Sequence, residues 1–208
     1  MTYLHRKADD FLISWKHDAA RMPLLIKGAR QVGKTSTILW FARSNYENVI
    51  VINFVEEPKY HSITSDGYRA EDIIRNISVI DPAKKFIPGK TLIFFDELQA
   101  FPDIATSLKF FREDGRFDVI CSGSLLGINY RQIESNSVGS KTDYLMHSLD
   151  FEEFLWAKGY NENTITDMLN HILEQKPFND AEMQTYSSLC SPCGLKMEGC
   201  GHPNLPEI

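Results

Sequence analysis

The sequence predicts an α/β fold, a parallel sheet of about five strands with helices on both faces. Three observations predict it. Runs such as Asn48-Val49-Ile50-Val51-Ile52-Asn53-Phe54-Val55 are too continuously apolar for a sheet with one wet face, and suit a parallel sheet covered on both sides. Segments with helical spacing of apolar residues alternate with such runs, which argues for right-handed crossovers between parallel strands. A run of the form G-x-x-x-x-G-K-[ST], from Gly28 to Thr35, joins an apolar run to a helical one, the strand–loop–helix setting of a phosphate-binding loop.

Along the chain, residues 3–18 are expected to form an amphipathic helix, because Leu4, Ala8, Phe11, Leu12 and Trp15 fall three and four apart. Arg6, Lys7, Asp9 and Asp10 lie mostly off that stripe, and the helix should cover the core beside the first strand. Pro23-Leu24-Leu25-Ile26 reads as that strand, and Thr35 to Arg43 as the helix after the loop. The run 48–55 is the second strand. Residues 69–80 carry Ile73, Ile74, Ile77 and Ile80 at helical spacing; Pro82 and Pro88-Gly89 then punctuate the connection. Thr91 to Asp96 is the third strand. Residues 103–113 follow as a helix with Ile104, Leu108 and Phe111 on one face. Residues 117–122 and 144–149 read as the fourth and fifth strands, and two helices are expected at about 151–157 and 163–175.

The loop carries the first half of a chemistry. Gly28 and Gly33 let the backbone bend tightly and approach an anion. The amides of Ala29, Arg30, Gln31, Val32 and Gly33, with the helix start through Ser36, would surround phosphates. Arg30 and Gln31 belong to the loop by position, with no side-chain chemistry assigned. Lys34 would reach the β- and γ-phosphates of a nucleotide, and Thr35 would offer its hydroxyl to Mg²⁺. The second half is Leu92-Ile93-Phe94-Phe95-Asp96-Glu97, a buried strand whose C-terminal end, where ligands of open α/β sheets lie, carries two carboxylates. Asp96 would hold Mg²⁺, and Glu97 would orient or deprotonate the attacking water. The plainer account is a surface Asp-Glu pair closing a strand. The fourth strand ends in Cys121-Ser122-Gly123-Ser124. Ser122 is the candidate sensor between the acidic ends and the γ-phosphate, with Ser124 in reserve, and a strand-ending turn is the alternative. Arg112, Arg116 and Arg131 are candidate charge-stabilising fingers, although a solvated surface role accounts for each.

Composition bounds the rest. With 43% hydrophobic residues in 208, a sizeable core is expected, and no apolar run approaches the ~20 residues of a membrane span. The N-terminal residues lack the apolar stretch of a signal peptide, so a cytoplasmic location is the expectation. A formal net charge of -6 gives no long-range pull toward nucleic acid, while a local basic patch stays compatible with it. Cys121 reads as a small buried hydrophobe.

The segments PLLIKGARQVGKTS, TLIFFDELQAFPDIATSLKFF, FDVICSGSLLG and DYLMHSLDFEEFLWAKG, in that order, resemble a family of prokaryotic AAA-type P-loop ATPases. The resemblance covers about residues 3–175. It implies an AAA core that binds ATP and Mg²⁺ and turns ATP and water into ADP and phosphate. It carries over Gly28, Gly33, Lys34 and Thr35 as phosphate and metal contacts, Asp96 and Glu97 as the metal and water carboxylates, and Ser122 as sensor. Nucleotide is the implied partner; a homo-oligomer through the core and a monomer both stay open. Nucleic acid and protein partners stay open, and no membrane partner is expected. Members of that family are longer, roughly 400 residues, with a C-terminal domain of unknown function. The chain is therefore expected to be a truncated or frameshifted member. Its expected division is a helix over 1–20, an ATP-binding core over 21–160, the helical start of a C-terminal region over 161–186, and an irregular tail over 187–208. In that tail Cys190, Cys193, Cys200 and His202 offer three thiolates and an imidazole, so Zn²⁺ binding and an out-of-frame artefact both remain open. Two other functions share the loop. One is a nucleotide-gated interaction module with little turnover; the other is a small-molecule kinase, which the adjacent Asp96-Glu97 disfavours.

Overall fold

The computed structural model describes residues 3–124, 137 and 139–184. Arg131, residues 187–208 and the four candidate zinc ligands lie outside the described residues. Five strands form one sheet: β1 (Leu24–Gly28), β2 (Asn48–Asn53), β3 (Thr91–Asp96), β4 (Asp118–Ser124) and β5 (Thr142–Leu145). All pairings are parallel, in the order β2-β3-β4-β1-β5. Among the described residues the α-helices are α1 (Lys7–His17), α2 (Lys34–Asn45), α3 (Ala70–Ile80), α4 (Leu108–Asp114), α5 (Phe151–Ala157) and α6 (Glu162–Leu173).

The sheet is covered on both faces, and strand alternation shows how. On β3, Leu92 and Phe94 pack with α1 and α2 residues such as Leu12, Trp15, Ile38 and Phe41. Ile93 and Phe95 point the other way, to Ile73 and Ile77 of α3 and Leu108 and Phe111 of α4. Every residue of β3 is buried. This explains the uninterrupted apolar run. Both faces of this interior strand lie in cores, and each large side chain there contributes about 1.5–3 kcal/mol of burial.

The chain divides into two compact units, residues 1–153 and 154–208. The first holds the sheet. In the second, Leu155, Ile165 and Met168 form a small buried cluster with Phe154, Trp156, Tyr160 and Phe178 against it.

Three elements differ from expectation. The first helix begins at Lys7, not residue 3, because Arg6 is extended and its N–H donates to the Asp9 carboxylate at 2.8 Å, which fixes the helix start. Leu4 is then exposed rather than in the stripe. The expected helix at 103–113 is two pieces. Pro102 opens a 3₁₀ segment to Ser107, and only Leu108–Asp114 is α-helical, ending at Gly115 with φ 63°. The fifth strand lies at Thr142–Leu145 instead of 144–149. Its register is set by β1, with Thr142 N–H donating to Pro23 O and Met146 N–H to Lys27 O.

Candidate functional site

The sheet order puts β4 between β1 and β3, so the C-terminal ends of these three strands converge. β1 stops at Gly28 and α2 starts at Lys34, and the loop between them makes one wall of a cavity of about 390 Å³. Arg30, Gln31, Gly33, Lys34, Thr35 and Ser36 line it from that side and Glu97 from the other. Gly28 is fixed by space: a Cβ there would stand 2.2 Å from the Met146 carbonyl oxygen. Gly33 is fixed by conformation, at φ 96°, and Gln31 adopts φ 63° beside it. Gly33 caps α2 without a side-chain acceptor, and the first turn of α2 contains no acidic residue. The leading amide donors of α2 therefore have no side-chain cap, an arrangement that suits an anion.

Lys34 is buried, and its Nζ donates back to Gly28 O at 3.2 Å and Ala29 O at 2.7 Å. Burial pushes its ammonium below the ordinary lysine range. Arg30 adds to that, while Glu97 and Asp96 oppose it. Thr35 Oγ1 donates to Asp96 Oδ2 at 3.0 Å, across 61 residues of sequence. Asp96 is almost fully buried, and its other oxygen accepts the Ser122 hydroxyl and, at 3.0 Å, the Glu97 N–H. Ser122 thus lies beside Asp96, as the strand positions suggest, but its hydroxyl is committed to that carboxylate. Ser124 pairs in register with Gly28, is buried, and has a hydroxyl with no hydrogen-bond partner among the described residues.

Glu97 adopts φ 56°, ψ 48°, a left-handed conformation that costs a non-glycine residue about 1 kcal/mol or more. Gln99 donates its amide N–H to Glu97 Oε2, and its Oε1 accepts the Ser124 N–H at 3.1 Å. Gln99 therefore ties the end of β4 to the Glu97 carboxylate. Nothing in the sequence pattern marked it, since a glutamine three residues past a strand has no periodic signature. Arg112 donates to Gly139 O and Arg116 pairs with Asp114, both near the N-terminal ends of the strands and away from the cavity.

A second cleft, of about 580 Å³, adjoins the outer side of the loop. Tyr3, Leu4, Val32, Leu39 and Trp40 are among its lining, and Tyr3 stacks on Trp40 with ring centres 4.5 Å apart. Extending the first helix back to residue 3 hid this surface, because it placed Tyr3 in a helical turn.

The family model described as an AAA domain matches residues 20–155, more than half of the chain. The chain belongs to this family. The sheet and loop are accordingly an AAA-type nucleotide-binding core. No curated protein matches it in sequence. Solved structures similar to the AAA chain include the Aeropyrum pernix ORC1 protein in complex with DNA, at TM-score 0.47 and 13% identity over 92% of this chain and 56% of that one. C. elegans PCH-2 gives TM-score 0.44 and 12% identity over 86% and 51%. Drosophila ORC bound to DNA gives 0.42 and 14% over 69% and 93%. The AAA chain spans about half the length of the first two. At these scores the likenesses carry no argument about substrate or partner. Among the described residues no helix is long and apolar enough to cross a membrane.

Proposed function

We propose that the chain is an ATP-binding AAA core that, with Mg²⁺, hydrolyses ATP to ADP and phosphate. One observation carries this reading: Lys34, Thr35 and Glu97 line one cavity, and the buried Asp96 accepts a hydrogen bond from the Thr35 hydroxyl at 3.0 Å. A hydroxyl and a carboxylate are hard oxygen donors, the set that suits Mg²⁺ with its remaining positions filled by water and phosphate. Bound there, Mg²⁺ would supply positive charge to the phosphate oxygens.

The chain's own groups do the rest. Lys34 exchanges its two carbonyl acceptors for phosphate oxygens, a stronger charge-assisted pairing. The α2 amides hold the same phosphates in place. Glu97, at the opposite wall, orients a water and takes its proton. Ser124, whose buried hydroxyl lacks a partner among the described residues, is better suited than Ser122 to meet the terminal phosphate. The aromatic cleft of Tyr3 and Trp40 would take the base through apolar contact.

The test is ATP binding and phosphate release by this chain beside Lys34→Ala, with Mg²⁺ present. Binding with turnover, both lost in the variant, is the expected result. Absence of ATP binding by the unaltered chain would overturn the proposal. A nucleotide-gated module with little turnover is the second reading. The hold of Gln99 on Glu97 favours it, since a carboxylate occupied by an amide is less free to act on water. Tight binding beside very slow phosphate release would select it.

A further inference from the structure

Arg6 reads in the sequence as a surface charge beside an apolar stripe. In the structure it is 8% exposed and points behind the loop. Its Nη1 donates to Val32 O at 2.9 Å and its Nη2 to His147 O at 2.9 Å. Its Nε lies 3.0 Å from Glu153 Oε1. Glu153 is itself buried, and it accepts the Lys7 N–H at 2.9 Å and the Asp150 N–H at 3.1 Å. Its own N–H donates to Asp150 at 2.9 Å, so Asp150 and Glu153 cap the start of α5 reciprocally.

A buried ion pair is a poor way to gain stability, because desolvating both charges offsets their attraction. Its position suggests another role. In a trans peptide the C=O of one residue and the N–H of the next point in opposite directions. With the Val32 carbonyl fixed on Arg6, the Gly33 N–H is turned away from Arg6. Gly33 lines the cavity, and its φ of 96° is one that only glycine adopts freely. Glycine alone does not resist turning of that peptide, so an outside tie must set its sense.

We propose that Arg6, held by Glu153 and the His147 carbonyl, is a positioning residue that locks the Val32–Gly33 peptide with its N–H toward the phosphates. The geometry stands without a nucleotide; the effect on affinity rests on the nucleotide reading above. The consequence resembles that of an anion hole in which one amide has flipped: a donor is lost and a carbonyl faces the anion.

The experiment compares the full chain with Arg6→Met, Arg6→Lys and the double variant Arg6→Met with Glu153→Leu, which leaves no orphaned buried charge if the single variant fails to fold. ATP affinity, thermal midpoint and amide exchange across residues 29–35 without nucleotide are measured on each. Arg6→Met and the double variant are expected to bind ATP at least about tenfold more weakly. Arg6→Lys should recover little of that, since an ammonium lacks the planar fork that reaches two carbonyls. Exchange at the loop should quicken in all three. Arg21→Met, which removes an arginine paired with Asp118 at 2.7 Å, serves as the control for a merely structural loss. Its thermal midpoint should fall without a change in affinity.

Equal ATP affinity and unchanged loop exchange in the Arg6 variants would overturn the proposal. So would affinity that falls in Arg21→Met in step with its midpoint. If the unaltered chain binds no ATP, the nucleotide reading fails by itself. Loop exchange then decides the role of Arg6: quickening supports it and no change refutes it.

Discussion

The wall of the cavity formed by β1 and α2 is made mostly of backbone, whereas the wall formed by β3 and β4 is made of side chains. On the first wall the proposed binding groups are amides, and they are placed by two glycines, a helix start and a carbonyl tied to Arg6. On the second, Asp96, Glu97, Gln99 and Ser122 hold one another through hydrogen bonds. A backbone wall tolerates few substitutions, because each changes the path of the chain. A side-chain wall can lose one member and keep its shape. The difference teaches where binding and chemistry should separate: binding should fail with the first wall, turnover with the second.

The largest effect that could break this division is at Lys34, whose Nζ reaches back across the loop to the Gly28 and Ala29 carbonyls. Lys34→Ala should weaken ATP binding by at least about 100-fold, given the strength of charge-assisted hydrogen bonds, as read by calorimetric titration. Retained affinity would mean that the amides alone suffice. Glu97→Gln is the matching change on the other wall. It should slow phosphate release by about 100-fold or more with ATP affinity unchanged within about a factor of three. A loss of affinity there would erase the contrast.

Gly28→Ala tests the first wall through stability. The added methyl would meet the Met146 carbonyl oxygen at 2.2 Å, so β5 must shift. A loss of about 2 kcal/mol in denaturant unfolding is expected for such overpacking. Ser122→Ala removes one of three hydrogen bonds to Asp96. Since Thr35 and the Glu97 N–H remain, about 1 kcal/mol or less should be lost, with a higher Mg²⁺ requirement and little change in ATP affinity at saturating Mg²⁺. A larger loss than that of Gly28→Ala would reverse the roles assigned to the two walls.

The same division governs what the sequence made legible. The first wall announces itself, because glycine at fixed positions before a helix is the only chemistry that builds it, and spacing alone reports it. On the second wall, Asp96 and Glu97 were visible through the apolar run that buries β3. The bonds among the side chains were not. Gln99 and Ser122 reach Glu97 and Asp96 by tertiary geometry, which has no period. Arg6 is the clearest miss. Local patterning put it among solvated charges, yet partners 26 and 141 residues away bury it. The boundary errors have the same origin. Leu145 and Leu149 extended the apparent fifth strand, but the pairing partner of that strand, β1, ends at Gly28 and so ends it at Leu145. Pro102 tightened the first half of the expected helix at 103–113 into a 3₁₀ segment, a local effect the apolar stripe concealed.

The smallest expected effect separates the two kinds of charge around Arg6. Lys7 Nζ lies 2.7 Å from Asp150 and 2.6 Å from Glu152, but these groups are about half exposed, with Lys7 at 45%. Lys7→Ala should therefore cost no more than about 0.5 kcal/mol, and that small loss should fade in high salt. Glu153 differs because it is buried. Burial pushes its carboxyl up, but the Arg6 side chain and the N–H groups of Lys7 and Asp150 outweigh that and hold it below its ordinary value of 4.5. A carboxyl depressed in the folded state contributes stability that is complete above the unfolded value and lost as pH falls through the folded one. Denaturation followed from pH 6 downward should thus show stability falling below about pH 4.5 in the unaltered chain and in Lys7→Ala alike. In the Arg6→Met, Glu153→Leu double variant the fall should be shallower. Identical acid profiles for all three would mean that ionisation of Glu153 adds nothing to folding, leaving the loop peptide as the target of the pair.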